Sequence, residues 1–340
     1  MSVGQASSRA AWVSGAALVV IAAAVALTPP PHRPLVAGLA IAGFAVSLAL
    51  DVLAGGHTRP AAVRAALPSA GSAVAHTIQP SPWTPAPALE GAEDAAPARL
   101  RVSTFSRQKV GNASGENEDS FAFDADRGVA AISDGASSSV SAREWSRALT
   151  SDFVRSAPAI TGDGIRSLLR STARTFMEAP LDTTGWWGAD AARSGSFATF
   201  LGLRVSREAD RVAWAAAAIG DSVVIQLRVE PSGPRLVEGF PLESSGGFAG
   251  TPSLVGSTQA QEGRLPALRL ATGSASLDDC WLLLTDELAK WALGRDEAGR
   301  EVWSLLLGAS DSDLDLAIDS ALATGEMEND DMTLVRIAVR

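Results

Sequence analysis

Apolar residues are distributed along the chain in three successive patterns. Ala10 to Leu27 is apolar except for Ser14, and Leu35 to Leu53 is apolar except for Ser47 and Asp51. Neither segment has a polar face, and each is about long enough to cross a bilayer as a helix. The break Pro29-Pro30-Pro31-His32-Arg33-Pro34 is incompatible with helix, so the pair is expected to form a transmembrane hairpin with both ends on one side. Arg9 precedes the pair, Arg59 and Arg64 follow it, and Arg33 lies between, a bias that puts the ends in the cytoplasm. A cleaved signal peptide ending near Ala24-Val25-Ala26 is the competing reading, and the second apolar segment argues against it. From Gly55 to Pro97 the chain is rich in Ala, Pro, Ser and Gly, the composition of a tether. The expected organisation is therefore a membrane hairpin over 1–56, a linker over 57–97 and a folded domain over 98–340.

In that last region the period of the apolar positions alternates between two and about four. Leu100 to Phe105, Ser196 to Val205, Val212 to Ala218, Val223 to Val229, Leu265 to Leu270, Cys280 to Leu284 and Met332 to Val339 read as strands. Ala142 to Ser156 carries Trp145, Leu149 and Phe153 at helical spacing, and Gly164 to Phe176 carries Ile165, Leu168, Leu169, Ala173 and Phe176. Leu288 to Leu293, Val302 to Leu307 and Leu314 to Leu322 also read as helices, while a loop with Gly246-Gly247 follows Val229. Strands, helices inserted in pairs, then strands again predict an α+β layered domain rather than a βαβ repeat.

Composition narrows the function. A formal net charge of −10 disfavours nucleic acid as a partner. Cys280 is the only cysteine, which excludes an internal disulfide, and its place in an apolar strand reads as inert core. His32, His57 and His76 all precede the folded domain.

Candidate chemistry begins at Asn117-Glu118-Asp119-Ser120. Phe121, Phe123, Val129, Ala130 and Ile132 alternate around an Asp124-x-x-x-Gly128 interruption, and Ser133-Asp134-Gly135 follows. That pattern predicts a hairpin, which returns Asp134 to the neighbourhood of Glu118 and Asp119. Carboxylates gathered without histidine or cysteine suit Mg²⁺ or Mn²⁺, whereas a solvated hairpin would leave them facing water. Three further places repeat the theme. Asp221 follows Ile219-Gly220, Asp286 follows Trp281-Leu-Leu-Leu-Thr285, and Asp330-Asp331 precedes the closing strand. A carboxylate beside a buried apolar run is costly unless compensated.

The order and context of these places resemble the metal-dependent serine/threonine phosphatases of the 2C type, the PPM family. The matching pieces are Gly111-Asn-Ala-Ser-Gly-Glu-Asn-Glu-Asp-Ser120, Val129-Ala-Ala-Ile-Ser-Asp-Gly135, Ser194-Gly-Ser-Phe-Ala-Thr199, Ile219-Gly-Asp-Ser222, Leu282-Leu-Leu-Thr-Asp286 and Asn329-Asp-Asp-Met-Thr-Leu-Val335. The resemblance spans residues 98–340. It implies a four-layer α-β-β-α sandwich, with two central antiparallel sheets flanked by helices. It further implies that Asp134 bridges two Mn²⁺ or Mg²⁺ ions, with the Gly135 carbonyl on one of them and Asp286 and Asp330 on the other. Glu118 and Asp119 would hold waters, and Asp221 with Asp286 would take a third, weaker ion. The implied reaction is hydrolysis of phosphoserine or phosphothreonine by water activated between the two ions, without a covalent enzyme intermediate.

The chain departs from the family pattern at several points. The position of the family's phosphate-gripping Arg is Ser114, a single hydroxyl in place of a five-donor fork. Arg143 and Arg193 are the candidate substitutes. Ala136 replaces a His sometimes found after Asp-Gly, Ser137-Ser138-Ser139 replaces a glycine pair, and Glu287 stands where Gly is preferred. Trp186-Trp187, between Gly185 and Gly188, reads either as a partner-binding loop or as aromatics buried beneath one. The expected protein is a phosphatase tethered to the cytoplasmic membrane through residues 10–53, with phosphorylated proteins, among them substrates of a Ser/Thr kinase, as partners. The alternative is a weakly active or inactive phosphatase-like module that binds a phosphoprotein or relays a signal.

Overall fold

Alternating apolar positions after residue 97 assemble into two antiparallel sheets. The computed structural model describes residues 96–113, 115–179, 195–208 and 211–339, all within the compact unit Ser81–Arg340. The expected membrane hairpin, most of the linker, Ser114, Trp186-Trp187 and Arg193 lie outside the described residues. Among the described residues no helix is long and apolar enough to cross a membrane.

The first sheet contains β1 (Ala96–Pro97), β3 (Ser120–Asp124), β4 (Val129–Ser133), β6 (Phe200–Glu208), β7 (Arg211–Ile219) and β11 (Arg269–Ala275). Its order is β11-β7-β6-β4-β3, with β1 also on β6. The second sheet runs β2-β13-β12-β8-β9, formed by β2 (Leu100–Arg107), β8 (Val223–Glu230), β9 (Gly233–Phe240), β12 (Asp279–Leu284) and β13 (Met332–Val339). A short ribbon pairs β5 (Phe197–Ala198) with β10 (Val255–Gly256).

Period-two alternation sends successive residues of a strand to opposite faces, and in the central strands both faces are covered. β4 is buried at every position. Its Ala130 and Ile132 join Leu201, Leu203 and Trp214 against Trp281, Leu283, Val335 and Ile337 of the second sheet, so one core lies between the sheets. Val129 and Ala131 face the other way, towards Trp145, Leu149 and Phe153 of α1 (Ala142–Ser156) and Ile165, Leu169 and Phe176 of α2 (Gly162–Glu178). After α3 (Ser257–Gln261), a third group of helices covers the second sheet. These are α4 (Asp286–Glu297), α5 (Trp303–Gly308) and α6 (Asp311–Thr324), whose Leu288, Trp291, Trp303, Leu306, Leu314 and Ile318 pack on Ile225, Leu227, Leu282 and Leu334. Helices, sheet, sheet and helices thus stack around three apolar cores.

The structure corrects the expected elements at three points. The strand expected at Leu265–Leu270 runs instead from Arg269 to Ala275. It pairs with β7 through Ala271, Thr272, Gly273 and Ser274, small residues with no apolar signal, while Leu265 and Leu268 pack in the helix-side core. The expected strand Ser196–Val205 is broken at Thr199 into β5 and β6, which belong to different sheets. β9 lies within the region read as loop; its burial is patchy because it is the edge strand of the second sheet.

Candidate functional site

The hairpin predicted around Asp124-x-x-x-Gly128 forms, with Ser120 opposite Ser133 and Asp124 opposite Val129. Asp119 and Asp134 are the next residues out from the Ser120–Ser133 pair, so the two carboxylates meet at the open end of β3 and β4. Asp134 is fixed through its backbone: its N–H donates to Thr199 Oγ1 at 2.9 Å, and its carbonyl accepts from Thr199 N at 2.8 Å. Thr199 Oγ1 lies 2.8 Å from Ser222 Oγ, which ties the turn carrying Asp221 to the same corner. Thr199 therefore breaks the strand and braces the site, a role the motif Ser194–Thr199 did not reveal.

Two glycines let backbones close in here. A Cβ on Gly135 would stand 2.8 Å from the Glu118 carbonyl oxygen, and one on Gly220, whose φ is +107°, would stand 2.7 Å from Thr199 Cγ2.

The second sheet supplies the remaining acids. Leu284 pairs with Leu334, which sets Asp286 at the start of α4 near Asp330 and Asp331, the two residues just before β13. Thr285 joins the two sheets. Its hydroxyl donates to Asp119 Oδ2 at 3.1 Å and accepts from Thr333 N at 2.9 Å.

These carboxyls are strongly perturbed. Withdrawal from water raises Asp119 to about 8; hydrogen bonds from Thr333 and Thr285 oppose the rise, and repulsion from Asp331 and Asp286 adds to it. Asp286 is raised to about 7, by desolvation first and then by Asp221 and Asp330, against a backbone hydrogen bond from Glu287. Asp134 is pushed well above the carboxylate range by burial, followed by repulsion from Asp119, Asp286, Asp330 and Asp221. Asp221 is raised by desolvation. Asp119, Asp134, Asp221, Asp286 and Asp330 are thus linked electrostatically, while Glu118 is not among the groups that shift them.

The donors fit a hard divalent cation. Asp119 Oδ1 and Asp221 Oδ1 are buried with no hydrogen-bond partner among the described residues, and a cation would relieve both those orphaned oxygens and the repulsion. Among the described residues no three carboxylate, histidine or cysteine side chains are grouped closely enough to enclose an ion by themselves. An ion here would take water for part of its shell, as Mg²⁺ commonly does.

Other predicted residues have different surroundings. Glu118 Oε2 accepts a short hydrogen bond from Ser137, and Glu118 N donates to Asp331 Oδ2 at 2.8 Å. Arg143 donates to the Gly115 carbonyl, so that donor holds the loop before Glu118. Glu287 is buried; it accepts from Glu328 N at 2.6 Å and from Lys290 at 3.1 Å, bracing the segment that leads to Asp330.

Asp331 was read from sequence only beside Asp330, with no role of its own, and Lys109 was not singled out. Asp331 accepts from Lys109 N and Glu118 N, both at 2.8 Å, and so clamps both ends of the loop. Lys109 places its ammonium 3.9 Å from Glu118 Oε2 and 3.8 Å from Asp330 Oδ1. A signal for it existed: the chain has only two lysines, Lys109 and Lys290, among many arginines.

Neither a protein-family model nor a curated protein matches the sequence. Solved structures do. The chain is similar to the serine/threonine phosphatase Stp1 from Staphylococcus aureus, at 14% identity and a TM-score of 0.49 over 74% of this chain and 100% of that one. It is similar to the Mycobacterium tuberculosis serine/threonine phosphatase PstP/Ppp, at 15% identity and a TM-score of 0.44 over 71% of this chain and 99% of that one. The catalytic domain of PstP in complex with two manganese ions matches at 17% identity and a TM-score of 0.43, over 71% of this chain and 98% of that one. These solved proteins are serine/threonine phosphatases, as are the members of the family that the sequence motifs resemble.

Proposed function

We propose that this chain is a metal-dependent protein phosphatase acting on phosphoserine and phosphothreonine. The observation that carries the reading is the gathering of Asp119, Asp134, Asp221 and Asp286 at one corner of two sheets, where burial raises the pKa of all four and repulsion adds to the rise at Asp119, Asp134 and Asp286. A site of that kind binds divalent cations in exchange for protons. When bound, Mn²⁺ or Mg²⁺ would neutralise the phosphomonoester and lower the pKa of the attacking water.

The chain's own residues would then divide the work. Asp134, Asp286 and Asp330, with the Gly135 carbonyl and water, would hold two ions, and Asp221 with Asp286 would take a third. Glu118 and Asp119 would orient water for in-line attack at phosphorus, which would break the bond to the seryl or threonyl oxygen. Thr285 and Thr199 keep Asp119 and Asp134 in register. Residues 10–53 would attach the domain to the cytoplasmic membrane, on its cytoplasmic side, where phosphorylated proteins are within reach; protease added to intact cells should then spare residues 98–340.

The test of the reading is hydrolysis of p-nitrophenyl phosphate and of phosphoserine and phosphothreonine peptides by the full chain, with and without Mn²⁺. Turnover that requires Mn²⁺ and is abolished by Asp134→Ala, together with weaker Mn²⁺ binding, is expected. A parent without turnover that still binds phosphopeptide would instead make the chain a phosphatase-like binding module.

A further inference from the structure

An open cleft of about 540 Å³ adjoins the acidic corner, lined by Lys109, Glu118, Ser137, Ser139 and Arg143 among others. We infer that Lys109 is the residue that binds the phosphate group of the substrate in this cleft, without accepting it covalently. The inference rests on the phosphatase reading only for the identity of the ligand.

Four observations support it. The backbone of Lys109 is fixed: its N–H donates to Asp331 Oδ1 at 2.8 Å, and the next residue, Val110, exchanges hydrogen bonds of 2.7 and 3.0 Å with the Asn329 side chain. The side chain is partly covered, with 24% of it exposed, and its ammonium is anchored at the cleft surface by Ser137. That ammonium is also short of acceptors. It donates to Ser137 Oγ at 2.9 Å, while Glu118 and Asp330 stand at 3.9 and 3.8 Å, beyond hydrogen-bond reach. Among the described residues two of its three N–H bonds therefore have no acceptor. Finally, the cleft has other features that favour an anion. Arg143 contributes a second cation, and the cleft opens on the first turn of the 15-residue helix α1, whose N-cap Ser141 makes no side-chain capping bond.

Glu116, Glu118 and Glu144 line the same cleft and oppose an anion, Glu144 from the first turn of α1 itself; metal taken up beside Glu118 offsets part of that opposition and makes the site receptive to phosphate. Lysine acts here as a point charge, which matches the loss of a bidentate fork at Ser114.

The experiment compares the full-length parent with Lys109→Ala and Lys109→Arg at saturating Mn²⁺. It measures KM and kcat for p-nitrophenyl phosphate, the Kd of inorganic phosphate by calorimetry, and the Kd of Mn²⁺. Lys109→Ala is expected to raise both KM and the phosphate Kd by about tenfold or more, with a smaller change in kcat and no weakening of Mn²⁺ binding. Lys109→Arg should restore most of the loss. If Lys109→Ala does not fold, Lys109→Met, which keeps the stem without the charge, carries the same test. Unchanged phosphate affinity in a folded, Mn²⁺-binding variant overturns the inference and leaves the phosphatase reading intact. A parent that binds phosphate through Lys109 but turns over no ester does the reverse.

Discussion

At the scale of single residues, Thr285 shows how one hydroxyl can hold two sheets in register. It donates to Asp119 Oδ2 at 3.1 Å and accepts from Thr333 N at 2.9 Å, and it is fully buried. Thr285→Val keeps the shape and removes both bonds. Thr333 N is then left without this acceptor, at a cost of about 1–3 kcal/mol, and the charged form of Asp119 loses a donor. Urea denaturation should show a less stable variant, and Mn²⁺ titration a weaker site, while Thr285→Ser should approach the parent on both counts. A valine variant with parental stability and Mn²⁺ affinity would mean that the hydroxyl bridges nothing. Glu287 illustrates the same scale from the other side. Read from sequence as a departure from a favoured glycine, it is a buried brace whose Oε1 accepts from Glu328 N at 2.6 Å.

At the scale of elements, Asp331 holds the two ends of the segment 109–118, accepting from both Lys109 N and Glu118 N at 2.8 Å. Removing that carboxylate with Asp331→Ala also removes a negative neighbour of Asp119, so the net loss of stability should be smaller than two charge-assisted bonds would suggest. The decisive readout is local. Amide hydrogen exchange should quicken at Lys109 and Glu118 while the core of β12 and β13 stays protected; unchanged exchange at both amides would count against the clamp. The elements legible in sequence were those with strong local periodicity. α1 and β13 match their expected limits, because Trp145, Leu149 and Phe153 mark one helical face and β13 is an unbroken strand-forming run. β11 was misplaced because its pairing with β7 uses small residues, a tertiary fit that alternation does not encode. The site divides in the same way. Aspartates abutting apolar runs could be read locally, whereas Thr285 to Asp119 and Asp331 to Lys109 join residues 166 and 222 positions apart.

At the scale of the whole molecule, the acidic corner should make stability depend on pH and on metal in opposite senses. Asp119 and Asp286 titrate at about 8 and about 7 in the folded chain, against 3.8 ordinarily. Their folded pKa values are raised, so the ion-free folded state binds protons that the unfolded chain has released. The stability this uptake supplies is full below about pH 4 and is lost as pH rises through 7 to 8. Asp279 has the reverse sign. Burial works against its charge, but hydrogen bonds from Arg228, Gln226 and Ser276 lower its pKa, so its contribution is lost only in acid, as pH falls through its depressed folded value. Between about pH 5.5 and 7.5 the acidic corner should therefore dominate, and thermal unfolding in EDTA should shift to lower temperature as pH increases. Bound Mn²⁺ would replace the protons, so the stabilisation it confers should grow over the same interval, with each displaced proton worth about 1.4 kcal/mol per pH unit. Unfolding curves of the full chain at three pH values, with EDTA and with Mn²⁺, measure both slopes. A stabilisation by Mn²⁺ that is equal at every pH would show that the ion binds without displacing these protons, and would remove Asp119 and Asp286 from the candidate site.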